Sequence, residues 1–99
     1  MIIYVAGKMT GLENKGRARF NEAEKKLSDL GHIVLNPSTL PDGLTNKDYM
    51  IIGTSMIDVA DAIYVLSGWE SSLGTKLEIH YAEYTGKKVL FEGKDDEEL

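Results

Sequence analysis

The sequence predicts an α/β domain of the doubly wound kind, three layers deep, with about four parallel strands and helices on both faces of the sheet. Two observations predict it. Short apolar runs alternate with stretches whose apolar residues recur every three or four positions, and most changes of pattern are marked by Gly or by Asn-Pro. Strands joined by helical crossovers pair in parallel, and right-handed crossovers place helices on both faces where the strand order reverses. For four strands the expected order is 2-1-3-4, a flavodoxin- or Rossmann-like sheet.

Residues 2–6 are an apolar run stopped by Gly7 and again by Gly11, the pattern of a buried first strand followed by a tight loop. Over residues 15–30, Ala18, Phe20, Ala23, Leu27 and Leu30 follow helical spacing, and Gly31 supplies a C-terminal stop. Residues 32–35 form a second short strand, ended by Asn36-Pro37 and a turn-rich segment through Gly43. Thr45, with Asp48 three positions later, is an N-terminal cap for a helix over residues 46–59 that Gly53 weakens. Residues 62–66 are the third strand, with Ile63 and Val65 on one face and Tyr64 and Leu66 on the other. After a loop, residues 73–85 carry Leu73, Leu77, Tyr81 and Tyr84 at helical spacing before Gly86, and residues 89–91 make the fourth strand.

Composition narrows the chemistry. The 99 residues are 42% hydrophobic and 27% charged, enough for one core without staples. Absence of Cys removes thiol catalysis, disulfides and Cys-ligated zinc. With only His32 and His80, and no His-Glu-x-x-His spacing, neither a metal nor another cofactor is expected. A net charge of -5 disfavours a nucleic-acid polymer as partner. Residues 94–98 carry -3 of it and read as a solvated acidic tail, so the domain is expected over 1–93 and the tail over 94–99. The leading apolar run is too short for a secretory segment and no stretch approaches the roughly 20 residues needed to span a bilayer, so no membrane partner and a cytoplasmic location are expected.

In doubly wound sheets ligands bind beyond the carboxyl ends of the strands where the order reverses, here between strands one and three. That points to residues 7–11, 36–44 and 67–78. The loop Gly7-Lys8-Met9-Thr10-Gly11 lets backbone amides approach a phosphate or sugar, or it serves only a turn. Neither G-x-G-x-x-G nor the P-loop signature is completed. In Gly68-Trp69-Glu70-Ser71-Ser72-Leu73-Gly74, Ser71 or Ser72 caps the last helix and free amides near Gly74 favour an anion. Glu78 follows one and a half turns in, where a solvated or paired side chain is the ordinary outcome. Trp69 and Tyr64 are candidates for stacking on a base or for apolar packing. His80 is expected at the surface, His32 has no evident partner, and Asn36-Pro37 shapes a turn.

The set Ile3-Tyr4-Val5-Ala6-Gly7-x-Met9-Thr10-Gly11, Asn36-Pro37, Asp61-Ala62-Ile63-Tyr64, Gly68-Trp69-Glu70-x-Ser72-x-Gly74-x-x-x-Glu78 and Tyr81-Ala82 spans nearly the whole chain. It resembles a small phage- and bacterium-associated domain of unknown function within the nucleoside 2-deoxyribosyltransferase-like superfamily. The resemblance implies homo-oligomers, dimers or higher, and a site for a nucleoside or nucleoside 5′-monophosphate. It implies that Glu78 is the nucleophile that attacks the anomeric carbon, that Ser72 and Gly74 meet a 5′-phosphate, that Gly7, Met9 and Gly11 wrap the sugar, and that Tyr4 lies beneath it. The activity implied is a deoxyribosyltransferase or a deoxynucleoside 5′-monophosphate N-glycosidase. Two positions depart from the pattern: Gly53 stands where active relatives carry an aspartate, for which Asp58 is the candidate substitute, and Thr10 stands where the hydrolases carry an Arg, for which Lys8 or Arg17 is the candidate. The Gly53 departure motivates the alternative of a noncatalytic nucleotide-binding module with the same fold. A third reading keeps the fold only as a scaffold, with the acidic tail engaging a partner.

Overall fold

The computed structural model describes residues 1–99. Seven main elements follow in strict alternation: β1 (Ile2–Ala6), α1 (Arg17–Asp29), β2 (Ile33–Leu35), α2 (Asn46–Val59), β3 (Ala62–Val65), α3 (Leu73–Tyr84) and β4 (Lys88–Phe91). The four strands form one parallel sheet in the order β2-β1-β3-β4, the order expected for a doubly wound sheet. Tyr4 pairs in register with Leu35 on one side and Ile63 on the other, so β1 is central and its carboxyl end opens at the order reversal. No helix is long and apolar enough to cross a membrane.

Period-two alternation divides the core between the sheet faces. Ile3, Val5, Tyr64, Leu66 and Leu90 point to one face and pack with Phe20, Ala23 and Leu27 of α1. Tyr4, Ala6, Ile63 and Val65 point to the other and meet Ile57 of α2 and Ile79 and Ala82 of α3. Burying side chains of this size contributes about 1.5–3 kcal/mol each. Two helices thus cover the second face, and α1 is the one helix on the first.

The C-terminal segment completes that first face. In place of a solvated tail, a short 3-10 turn at Asp96–Glu98 folds back over α1 and β3. Asp96 accepts from Lys26 at 2.6 Å and from the Tyr64 hydroxyl at 2.8 Å, Asp95 accepts from the Phe91 amide, and Leu99 packs on the apolar cluster. Local charge hides this, because the cation that receives Asp96 lies 70 residues earlier. His32 also gains partners, with Nε2 3.0 Å from the Leu99 carbonyl oxygen and Nδ1 3.1 Å from the Met1 amine.

α1 begins at Arg17, two residues later than its apolar spacing predicts. Asn14, Lys15 and Gly16 run consecutively through left-handed backbone, with φ of 48, 56 and 72°. Asn tolerates that conformation, and Gly16 needs its missing Cβ because one would stand 3.2 Å from the Lys8 carbonyl oxygen. The left-handed turn aims Lys15 and Arg17 at the loop after β2.

Candidate functional site

A cavity of about 970 Å³ opens beyond the carboxyl ends of β1 and β3, where the strand order reverses. Its walls are the loop after β1, the segment from Pro37 to Met50, and the start of α3. Seven of the residues singled out from the sequence line it together: Tyr4, Gly7, Met9, Gly11, Ser72, Gly74 and Glu78.

Tyr4 and Glu78 form the floor. Tyr4 lies on the α2/α3 side of β1, almost fully buried, and its hydroxyl donates to Glu78 Oε2 at 2.5 Å. Burial disfavours the charged carboxylate and pushes Glu78 up to about 7, against the opposing effect of the Tyr4 hydrogen bond. The same burial, with the Glu78 charge beside it, raises the Tyr4 hydroxyl well above its ordinary range, so it stays a donor. Glu78 is therefore a desolvated carboxylate with one hydrogen bond and no cation against it.

Gly53, in the middle of α2, faces this pair. A Cβ there would stand 2.6 Å from Glu78 Oε2 and 3.1 Å from the Tyr4 hydroxyl. Glycine inside a helix costs about 1 kcal/mol relative to alanine. Here the bare backbone is the space that the carboxylate occupies.

At the start of α3, the Ser72 side chain accepts from the Thr75 amide at 3.2 Å and from its hydroxyl at 2.9 Å, which fixes Ser72 rather than Ser71 as the cap. Leu73 and Gly74 amides, in the first turn, have no partner within the helix. Lys8 reaches over from the loop after β1 and donates to Ser71 Oγ at 3.1 Å, and it forms no ion pair. Arg17 is committed elsewhere: it donates to Asp42 at 2.7 Å, Asn14 at 2.8 Å and the Ser38 carbonyl at 3.0 Å. Together with Lys15, it holds Asp42 down to about 2. Asp42 is thus a permanent anion, and Glu78 is the cavity carboxyl whose titration falls near neutrality.

Three sequence candidates lie elsewhere. Asp58 is exposed near the end of α2, where it accepts from the Tyr81 hydroxyl at 2.6 Å, and it does not line the cavity. Trp69 packs against Phe91 with ring centroids 5.4 Å apart and borders a separate depression of about 300 Å³ with His80. Tyr64, buried on the α1 face, is spent on Asp96 and Lys26. The aromatic wall that sequence reading missed is Tyr49, whose hydroxyl donates to the Pro41 carbonyl at 2.6 Å and pins the loop that closes the cavity. The Thr45 cap carried the signal: with α2 starting at Asn46, positions 46, 49, 50 and 53 share one face. No three His, Asp or Glu side chains stand together as a metal site.

No curated protein matches the chain. Among solved structures, the 2-deoxyribosyltransferase from Leishmania mexicana superposes with a TM-score of 0.74 at 24% identity, over 91% of this chain and 62% of that one. The chain thus spans less than two thirds of the length of that enzyme. The CMP N-glycosidase of Clostridium botulinum superposes with a TM-score of 0.61 at 21% identity, over 95% of this chain and 72% of the other. These likenesses establish a shared fold, the one that the motif set in the sequence implies. A family profile described as a domain of unknown function (DUF4406) matches residues 1–91, and the chain belongs to that family.

Proposed function

We propose that the chain cleaves or exchanges the N-glycosidic bond of a deoxynucleoside 5′-monophosphate, with Glu78 as nucleophile. The observation that carries this reading is the desolvated Glu78 carboxylate held by Tyr4 at the floor of the switch-point cavity. The fold shared with a deoxyribosyltransferase and a CMP N-glycosidase supports a nucleoside-type ligand. An ionised Glu78 oxygen stabilises the oxocarbenium-like transition state and bonds to the anomeric carbon as the carbon–nitrogen bond breaks. The base leaves with the bonding pair and takes its proton from solvent. Water then cleaves the glycosyl ester and frees Glu78, or a second base does so and gives transfer.

The phosphate is assigned to the start of α3, where Lys8 supplies a cation free of any carboxylate, beside the Leu73 and Gly74 amides. Lys8 rather than Arg17 thus stands in for the missing Arg at Thr10. Gly7, Met9 and Gly11 border the sugar, and the base falls to the wall of Leu44, Tyr49 and Met50. Leu73 and Leu77, which line the cavity, are 73% and 48% exposed, so a second copy of the chain is proposed to close that side.

A noncatalytic nucleotide-binding module is the second reading, favoured by Gly53, which leaves Glu78 without a carboxylate neighbour. One experiment separates them: incubation with a panel of deoxynucleoside 5′-monophosphates and free nucleosides, with released base followed by chromatography and ligand-induced thermal shifts in parallel. Base release from monophosphates is expected. A thermal shift without release from any compound transfers the assignment to the binding module.

A further inference from the structure

We infer that Gly53 is a positioning residue: the bare backbone at this point of α2 is the niche in which the Glu78 carboxylate is held against Tyr4, and a side chain there turns the carboxylate out. The argument is steric. Glu78 Oε2 stands 2.6 Å from where a Cβ would be, closer than two such atoms approach, and the Tyr4 hydroxyl stands at 3.1 Å. Gly53 is a buried position in a fourteen-residue helix with a capping box, so neither a turn nor a positive φ asks for glycine there. Its neighbours along the same face, Tyr49 and Met50, carry full side chains into the cavity.

The two contacts differ in how they give. Tyr4 is anchored in the central strand and buried, whereas the Glu78 carboxylate ends a flexible side chain that borders the cavity. A methyl at position 53 is therefore relieved by rotation of Glu78 toward the cavity, at the loss of the Tyr4 hydrogen bond. Tyr4 from β1 is the one titratable group in contact with the carboxylate, and no cation faces it. Its titration thus reports its place in the niche. The consequence for turnover rests on the reading of Glu78 as nucleophile; the positioning itself does not.

The test titrates the Glu78 carboxyl carbon by NMR in the wild type, Gly53→Ala and Tyr4→Phe. In Gly53→Ala the carboxyl is expected to lose its burial and move down toward the ordinary 4.5. In Tyr4→Phe it stays in the niche, loses its donor and moves up. A Gly53→Ala titration that coincides with the wild type overturns the inference. Thermal unfolding supplies a second reading through the Gly53→Ala, Glu78→Ala cycle. Alanine at 53 is expected to raise Tm more in the Glu78→Ala background than in the wild type, since the 2.6 Å contact with Glu78 is then gone and the 3.1 Å contact with the Tyr4 hydroxyl is common to both. Equal shifts in both backgrounds, or failure of both Gly53→Ala proteins to fold, overturn it as well. If base release is present, Gly53→Ala is further expected to lower kcat on the order of 10- to 100-fold with KM little changed. A chain that releases no base can still pass the first two tests, and one that releases base can fail them.

Discussion

The Tyr4 hydroxyl donates to the Glu78 carboxylate across 74 residues of sequence, joining the central strand to the last helix at 2.5 Å. That contact places a titratable acid under a cavity at the reversal of strand order.

Because Glu78 is raised from 4.5 to about 7 in the folded protein, it binds its proton more tightly folded than unfolded. Stability from this group is complete below pH 4.5 and falls as pH rises toward 7, by roughly 3 kcal/mol in all. Denaturant unfolding across that window is expected to show the decline in the wild type, and Glu78→Gln is expected to remove this component and unfold at higher denaturant near pH 8.

Base release is expected to depend on the same proton in the opposite sense. The nucleophile must be ionised, so kcat/KM rises with pH and levels off above an inflection near 7. Tyr4→Phe removes the donor that favours the anion, and its profile is expected to shift to higher pH.

Lys8→Ala is expected to raise KM for 5′-monophosphates by about 10- to 100-fold, the range for one charge-assisted hydrogen bond. Free nucleosides lack the group that Lys8 meets, so their kinetics are expected to be unchanged. Steady-state comparison of the two substrate classes checks this.

Asp58→Ala is expected to leave base release at the wild-type rate, because Asp58 faces Tyr81 on the surface and not the cavity. Asp96→Ala, which undocks the C-terminal turn from Lys26 and Tyr64, is expected to cost about 1 kcal/mol and lower Tm by roughly 4–8 °C, again without loss of turnover. Paired melting curves and rates test both.

Period and punctuation made the fold legible. The cap at Thr45 placed α2, the alternation in residues 62–66 divided Tyr64 from Ile63 between opposite faces, and the order expected of a doubly wound sheet is the one observed. What escaped were contacts between residues far apart in sequence. Asp96 finds Lys26, and Trp69 finds Phe91, through tertiary packing that no local pattern encodes. Gly53 reads as a flaw in a helix until Glu78 is placed beside it. Asp58 sits at helical spacing from Asp61, but on α2 it follows the buried Ile57 by one position and so falls on the solvent face, away from Gly53.

The most direct measurement is base release from deoxynucleoside 5′-monophosphates by the wild type and Glu78→Ala side by side, with circular dichroism confirming that both are folded. Release by the wild type, abolished in the folded variant, is the expected result. Release at the same rate by both proteins, or by neither, contradicts the assignment of Glu78 as the nucleophile.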